Sequence, residues 1–357
     1  MRCLLLCLFL FVTACATPVY RAPAIDPARA DAERSQLIIA AMQTALDRRA
    51  RVYDLNWPLL TANTDLCPAT RPTIGIVFGD RPLWARMAGG LREAELERIG
   101  VPEGIRIVHV SKGSPAARSG LAAGMALQAV NGEPMSDLDS MSKRIRQALD
   151  DDGTVSLGTD QGDFTVEAVT ACDIAVKIST SQAINANAIE GDIVIYTGLV
   201  RALDDPALQY VIAHEAAHVI LRHPRKYWRN LTVSGAVVAA PFVYGGAMVL
   251  DGALSVAGKR PDISMQRRSL RLLAPWAEDF EAEADYVGLY LFARAEGDLT
   301  AARQTFDVFS TESPDSIYAP GTHPLTPDRI AALEAAIAEI NIKRQRGLSL
   351  LPERVDD

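Results

Sequence analysis

The chain has 357 residues, a formal net charge of −8 at pH 7 and 49% hydrophobic residues. This length has room for two domains. The acidic balance provides no basic surface for nucleic acid, so a nucleic-acid partner is not expected.

The first residues are typical of a secretory signal. An apolar run extends from Cys3 to Val12 and is too short to span a membrane as a mature helix. The ending Val12-Thr13-Ala14-Cys15 resembles a bacterial lipobox, which implies a signal peptide over residues 1–14 and lipid modification of Cys15. By the same resemblance, Ala16 favours sorting to the outer membrane. We expect a periplasmic, lipid-anchored protein; a secreted protein cleaved nearby is the alternative.

The first mature segment is predicted to be helical. Asp26-Pro27 can start a helix, and the Ala-rich sequence with regularly spaced apolar residues continues to about Arg51.

The next segment is predicted to be rich in strands. Gly104 to Val110 is typical of a strand, and Asn131-Gly132 suits a tight turn between strands. The segment resembles a PDZ domain of the bacterial periplasmic-protease type. This resemblance makes Ile74, Gly75 and Ile76 a loop whose amides capture the C-terminus of a peptide, for example of an envelope protein. A spacer or docking role is the alternative. His109 is interpreted as structural.

Two cysteines flank this segment. Cys3 and Cys7 leave with the signal and Cys15 is lipidated, so Cys67 and Cys172 remain as an even pair in an oxidising compartment. A disulfide is expected, with two buried thiols as the alternative.

The stretch His214-Glu215-Ala216-Ala217-His218 indicates a metal site. Helical positions i and i+4 share a face, so both imidazoles can bind one metal ion while Glu215 reaches a water molecule. Asp205 is predicted to cap this helix and Pro224 to stop it after His223. Two hydrogen-bonded core histidines are the alternative. His223 is interpreted as a structural histidine favoured by the C-terminal helix dipole.

A third protein ligand is expected on a second helix. Glu281, Ala284, Asp285 and Gly288 fall on one helical face, and the small residues permit close packing on the first helix. Glu283 lies about 200° around this helix from Glu281, so it is expected to face away from the metal. A solvated acidic helix start is the alternative.

The uncharged run Leu231 to Leu250 has the length of a membrane span. Because Gly and Pro interrupt it, we expect it to cover the active-site cleft or to touch the lipid surface. A spanning helix is the alternative.

Four segments together resemble the gluzincin metallopeptidase family that includes HtpX, the CAAX prenyl endopeptidases, the mitochondrial Oma-type proteases and BepA. The segments are Asn185 to Gly191, His214 to His223, Glu281 to Asp285, and Thr322 to Ile330. Two departures are Asn187, where an aromatic residue is usual, and Glu190, where Pro is usual.

The resemblance implies one Zn²⁺ per chain, bound by His214, His218 and Glu281, with Glu215 as general base. Asp285 would orient a ligand histidine, and His323 would stabilise the oxyanion or lie close to the metal at rest. Asn185, Ala186, Asn187 and Ala188 would belong to an edge strand that holds the substrate, near Asn185 to Val194.

The predicted fold class is α+β, with a mainly helical gluzincin-type peptidase domain that has a small sheet and a separate PDZ-like, β-rich domain. The expected layout is a lipidated N-terminus and first peptidase helix over 15–66, the PDZ-like domain over 67–172, the peptidase domain over 173–345 and a tail over 346–357.

The sequence predicts a zinc endopeptidase of the bacterial envelope that cleaves misfolded or misassembled proteins. One alternative is a PDZ-containing binding or chaperone lipoprotein with little turnover. The other is an integral-membrane protease in which 231–250 spans the bilayer.

Overall fold

The computed structural model of the protein describes residues 20, 23–87, 91–189, 191–233, 277–312, 323 and 327–355. Several predictions from the sequence lie outside these residues: the signal peptide, Cys15, Glu190, and the apolar run beyond residue 233. Thr322 and residues 324–326 around His323 also lie outside them.

Helices make up most of the part of the chain that carries the predicted metal ligands. In chain order the helices are α1 (Pro27–Ala62), α2 (Arg81–Met87), α3 (Glu93–Arg98), α4 (Pro115–Ser119), α5 (Leu138–Asp152), α6 (Thr197–Ala202), α7 (Asp205–Ile220), α8 (His223–Val233), α9 (Ala277–Arg294), α10 (Leu299–Glu312) and α11 (Pro327–Gln345).

Within the residues that the structure describes, the strands form three sheets. They are β1 (Thr70–Thr73), β2 (Ile76–Gly79), β3 (Ile105–Val110), β4 (Ala126–Val130), β5 (Glu133–Pro134), β6 (Thr154–Thr159), β7 (Gly162–Glu167), β8 (Val169–Cys172), β9 (Ala175–Ser179), β10 (Ala186–Ile189) and β11 (Asp192–Tyr196). The predicted combination of helical and sheet-containing parts is confirmed at this level.

Helix α1 begins as predicted and ends later than predicted. The Asp26 side chain accepts a hydrogen bond from the Ala28 amide and caps the helix. The helix then continues past Arg51 to Ala62 and contains Pro58, which has no amide hydrogen to offer the preceding turn. Burial explains the extension, since Val52 and Leu59 lie in the same core as helices α7 and α9.

The metal helix α7 has different ends from those predicted. Its cap is Asp204, whose carboxylate accepts from the Ala207 amide, rather than Asp205. The helix stops at Ile220, and Arg222 then adopts a left-handed conformation with φ 56°. Pro224 therefore lies in the first turn of α8 instead of ending α7.

A 3-stranded sheet lies beside α7 and has the strand order β10-β11-β9. Strand β10 pairs antiparallel with β11, which pairs parallel with β9. Strand β10 is therefore an edge of this sheet. The predicted edge segment is shorter than expected, because Val194 belongs to the central strand and Asn185 precedes β10.

The β-rich unit has a hydrophobic core of its own. Its sheet has the order β2-β3-β4-β6-β7, with β5 paired to β4. Helix α5 packs on this sheet through Met141, Ile145 and Leu149, which are buried with Ile107 and Leu157.

Strands β1 and β8 join the two units. They pair antiparallel, with Thr70 opposite Cys172 and Thr73 opposite Val169. Cys67 and Cys172 form a disulfide beside this pair, with Cα atoms 5.6 Å apart. The chain therefore leaves the helical part and returns to it at neighbouring points.

Within the described ranges, no helix has both the length and the apolar character that crossing a membrane requires.

Candidate metal centre

The close packing of α9 against α7 creates the site. A β-carbon added at Gly288 would lie 2.9 Å from His214 Cα and 3.2 Å from Ala213 O, so the two backbones touch there. Ala284, one turn earlier on α9, is fully buried. Small residues at this contact bring Glu281 close to the histidines of α7, as the sequence pattern predicted.

Three of the predicted ligands converge on one point. The Nε2 atoms of His214 and His218 lie 3.1 Å apart. Glu281 Oε2 is 3.5 Å from His214 Nε2, and Glu281 Oε1 is 3.3 Å from His218 Nε2. With a ring nitrogen of His323, these residues offer four donor atoms that all lie within 4.8 Å of one another.

The two distances from Glu281 to the histidines fit a single zinc ion, and the 3.1 Å between the histidine nitrogens is slightly shorter than such a site requires. Zinc ligands lie about 2.0–2.2 Å from the metal, so two ligand atoms of a tetrahedral site are about 3.3–3.6 Å apart. Imidazole nitrogens and a carboxylate oxygen are also the donors of catalytic zinc sites. His214, His218 and Glu281 are buried, which keeps the donor atoms at fixed positions.

Glu215 and His323 lie at the edge of this donor group. Glu215 is buried, and its Oε2 atom has no hydrogen-bond partner among the residues that the structure describes. His323 Nε2 is 3.4 Å from Glu215 Oε1, and its Nδ1 is 2.9 Å from Glu281 Oε2. His323 is thus a candidate fourth ligand in this conformation.

The predicted ligand His214 is held by Asp285, which in turn contacts two residues that were not predicted from the sequence. Asp285 Oδ1 is 2.9 Å from His214 Nδ1, which leaves His214 Nε2 directed at the donor group. Arg329 donates to both Asp285 oxygens at 2.7 and 2.9 Å and lies 3.2 Å from Glu281. The hydroxyl of Tyr210 donates to Asp285 at 3.3 Å. Tyr210 precedes His214 by four residues, so helical spacing could have indicated it.

The neighbouring charges shift the pKa values of the predicted ligands His214 and Glu281. Burial alone would lower the pKa of His214, but Asp285 and Glu281 outweigh it and raise that pKa to about 10. Burial opposes the charge of Glu281, yet His323 and Arg329 hold the pKa of Glu281 well below its usual value. Without a metal, a protonated His214 thus balances the carboxylates, and metal binding has to displace that proton.

His223 does not lie at the C-terminal end of α7, where the sequence placed it, but at the start of α8. Its Nδ1 lies 2.9 Å from His218 Nδ1, and its Nε2 lies 3.0 Å from Glu283 Oε2. Burial and the neighbouring His218 lower the pKa of His223 well below its usual value. Glu283 faces away from the donor group, as predicted, but it contacts a histidine that touches a predicted ligand.

The predicted substrate strand lies beside α7 at the sheet edge. Ala186 and Ala188 of β10 are buried, whereas Ile189 is 49% exposed. Asn187, which replaces the usual aromatic residue, donates from Nδ2 to the Tyr196 hydroxyl at 2.8 Å. The Asn185 carbonyl accepts from the Tyr196 amide at 3.2 Å and fixes the start of the strand.

The predicted peptide-binding loop is only partly a loop: Ile74 and Gly75 lie between β1 and β2, and Ile76 is the first residue of β2. Gly75 has φ 77°, and Trp57 of α1 lies 3.0 Å from the position that a Gly75 β-carbon would take. The carbonyls of Ile74 and Gly75 accept from the Ala116 and Ser111 amides. The loop is therefore packed against both its own unit and α1.

His109 joins the two units, in agreement with a structural role. Its Nε2 lies 3.0 Å from Asp54 Oδ1 of α1. Asp54 also accepts from the Lys112 amide at 3.0 Å.

One family model matches the part of the chain that carries the predicted metal ligands. Residues 169–337 match the model of Peptidase family M48. The chain is 27% identical over 159 residues to the mitochondrial metalloendopeptidase OMA1 of Schizosaccharomyces pombe, which covers 43% of this chain and 44% of that protein. The chain thus spans less than half the length of this curated relative. Over residues 169–337, the match agrees with the resemblance to gluzincin metallopeptidases.

A solved structure also matches the chain. It is the crystal structure of the HtrA3 PDZ domain bound to a phage-derived ligand (FGRWV), which is 20% identical, covers 29% of this chain and 88% of that chain, and has a TM-score of 0.21. This score is too low to bear on the fold of the β-rich unit.

Proposed function

We propose that this protein is a zinc-dependent endopeptidase that cleaves misfolded or misassembled proteins of the bacterial cell envelope. The buried convergence of His214, His218 and Glu281 beside Glu215, within a segment that matches a peptidase family, carries this proposal. His214, His218 and Glu281 would hold the ion. When bound, zinc supplies Lewis acidity that activates water and polarises the peptide carbonyl.

Glu215 is the general base of this proposal. Its Oε2 atom is buried without a hydrogen-bond partner among the described residues, so it is available to accept a proton from water. The same carboxylic acid then returns the proton to the amine that leaves. His323, 3.4 Å from Glu215, is close enough to hold negative charge that develops on the substrate carbonyl oxygen.

The substrate would bind as an extended strand. Strand β10 is an edge of its sheet and contacts the metal helix α7, so a peptide added to β10 would run past the site. This binding mode selects unfolded segments, because folded proteins rarely present a free strand.

The envelope location rests on the sequence. A signal peptide over 1–14 and a lipid-modified Cys15 would anchor the enzyme, and a disulfide between Cys67 and Cys172 suits an oxidising compartment. The β-rich unit over 67–172 would act as a PDZ-like module for envelope-protein partners.

The test compares the purified soluble form, residues 16–357, with its Glu215→Gln variant. Both should hold about one zinc ion per chain, but the variant should cleave unfolded casein at least about 100-fold more slowly, because only the base is lost. Asp279→Asn removes an exposed carboxylate from α9 and serves as the control. Full activity of Glu215→Gln would contradict the proposal. Bound zinc with casein binding but no cleavage would favour a binding lipoprotein.

A further inference from the structure

We propose that Glu283 and His223 form a positioning relay that holds the metal ligand His218 in one tautomer and one orientation. The inference rests on the proposed function, because it concerns how that metal centre is held. His223 contacts the metal site through His218, and Glu283 contacts it through His223.

A chain of side-chain contacts leads from Glu283 at the protein surface through His223 to the metal ligand His218. Glu283, whose side chain is 44% exposed, places Oε2 at 3.0 Å from His223 Nε2. His223 is only 3% exposed, and its other ring nitrogen lies 2.9 Å from His218 Nδ1. The remaining nitrogen of His218, Nε2, belongs to the group of donor atoms around Glu281.

These contacts determine which ring nitrogen of His218 and of His223 carries a proton. A histidine that binds metal through Nε2 is neutral and carries its proton on Nδ1. The His218 Nδ1–H then donates to His223 Nδ1, which has to be the unprotonated nitrogen of its ring. His223 therefore carries its proton on Nε2 and donates it to the Glu283 carboxylate. Each donor has one acceptor, and no further group is required.

The fold holds His223 in this position from two sides. The left-handed conformation of Arg222 separates α7 from α8 and turns the chain so that His223 faces His218. The Phe280 ring stacks on the His223 ring, with centroids 4.6 Å apart and planes at 16°. Phe280 and Glu283 are three residues apart on α9, so one helical face fixes both the plane and the outer nitrogen of His223.

A purely structural role explains these contacts less well. A histidine that stabilises a helix end lies in the last turn, near the free carbonyls. His223 instead is the first residue of α8, and both of its ring nitrogens face side chains.

The two ligand histidines are therefore supported in parallel ways. Asp285 contacts His214 Nδ1 directly at 2.9 Å. Glu283 would orient His218 in a similar way, through the intervening imidazole of His223. Loss of such an outer partner typically weakens metal binding by about 10–100-fold.

The experiment measures the zinc dissociation constant by chelator competition. His223→Phe keeps the ring that stacks on Phe280 but removes both nitrogens, so zinc affinity should fall about 10–100-fold. Glu283→Ala, at a half-exposed position that tolerates truncation, should weaken zinc binding in the same direction and keeps the test open if His223→Phe fails to fold. The double variant should bind no more weakly than His223→Phe, because both residues act through His218. Asp279→Asn removes a charge from the same helix and should leave zinc affinity unchanged.

Imidazole ¹⁵N NMR of the zinc-loaded protein reads the tautomers directly, since the chain has only five histidines. We expect protons on His218 Nδ1 and His223 Nε2. A proton on His223 Nδ1 would overturn the relay while the wild-type protein still binds zinc. Wild-type zinc affinity in every one of the variants His223→Phe and Glu283→Ala that folds would overturn it as well. A wild-type protein that binds no zinc would overturn the proposed function, and the relay with it.

Discussion

Gly288→Ala tests whether the contact between α7 and α9 sets the geometry of the metal site. The new β-carbon would lie 2.9 Å from His214 Cα, 3.1 Å from His214 N and 3.2 Å from Ala213 O. Carbon atoms prefer a separation of about 3.5–4.0 Å. All three neighbours are backbone atoms and cannot rotate away, so the helices have to separate or tilt by about half an ångström.

The effect on stability should be small, because two terms oppose each other. Alanine is favoured over glycine inside a helix by about 1 kcal/mol. Overpacking of a buried contact costs about 1–3 kcal/mol, which leaves a net destabilisation of about 0–2 kcal/mol.

The effect on the metal site should be larger. Metal–ligand distances tolerate deviations of only about 0.2 Å. Glu281 lies seven residues before Gly288 on the same helical face and would move with α9. We therefore expect zinc affinity to fall at least about tenfold, which corresponds to about 1.4 kcal/mol.

The assay pairs chelator competition for zinc with thermal unfolding of the metal-free protein. Ala282→Ser, at an exposed position of α9, is the control and should change neither quantity. Wild-type zinc affinity in Gly288→Ala would refute the argument that this close contact positions Glu281.

Three further predictions concern charge, pH and the disulfide. Arg329→Met should destabilise the metal-free protein by up to about 3–5 kcal/mol in urea unfolding, because two buried carboxylates lose one of the cations that balance them; a change below about 1 kcal/mol would argue against this. Zinc affinity should rise about tenfold per pH unit between pH 6 and 9, because the raised pKa of His214, about 10, means that zinc displaces its proton throughout that range. A flat profile in chelator competition would contradict this assignment. The Cys67→Ser/Cys172→Ser variant should lose less than the roughly 4–5 kcal/mol expected for closing a loop over a separation of 105 residues, since β1 and β8 already hold the ends together. A loss of about the full 4–5 kcal/mol in urea unfolding would contradict this reasoning.

Local patterns were sufficient for the parts of the site that lie on one helix. The i, i+4 spacing of His214 and His218 puts both rings on one face of any helix, whatever surrounds it. The same applies to Glu281, Asp285 and Gly288 on α9. The flanking cysteines could also be paired from the sequence, because an inserted segment starts and ends at neighbouring points of its host.

Helix ends were predicted less well, because they depend on packing. Proline can interrupt a helix, but burial of Val52 and Leu59 in the peptidase core keeps α1 intact past Pro58 to Ala62. Asp204 and Asp205 are both suitable caps by residue type, and only the conformation at the start of α7 decides that Asp204 accepts the hydrogen bond.

The amino-acid sequence by itself determined which donor atoms can share a helical face, because that periodicity is a property of the local backbone. The sequence could not determine which side chains from other parts of the chain contact those donor atoms. Arg329 reaches Asp285 from α11, 44 residues away, and Glu283 reaches His223 from 60 residues away. Such pairs depend on how separate helices cross, which follows from burial of the whole core, so only the tertiary structure decided them.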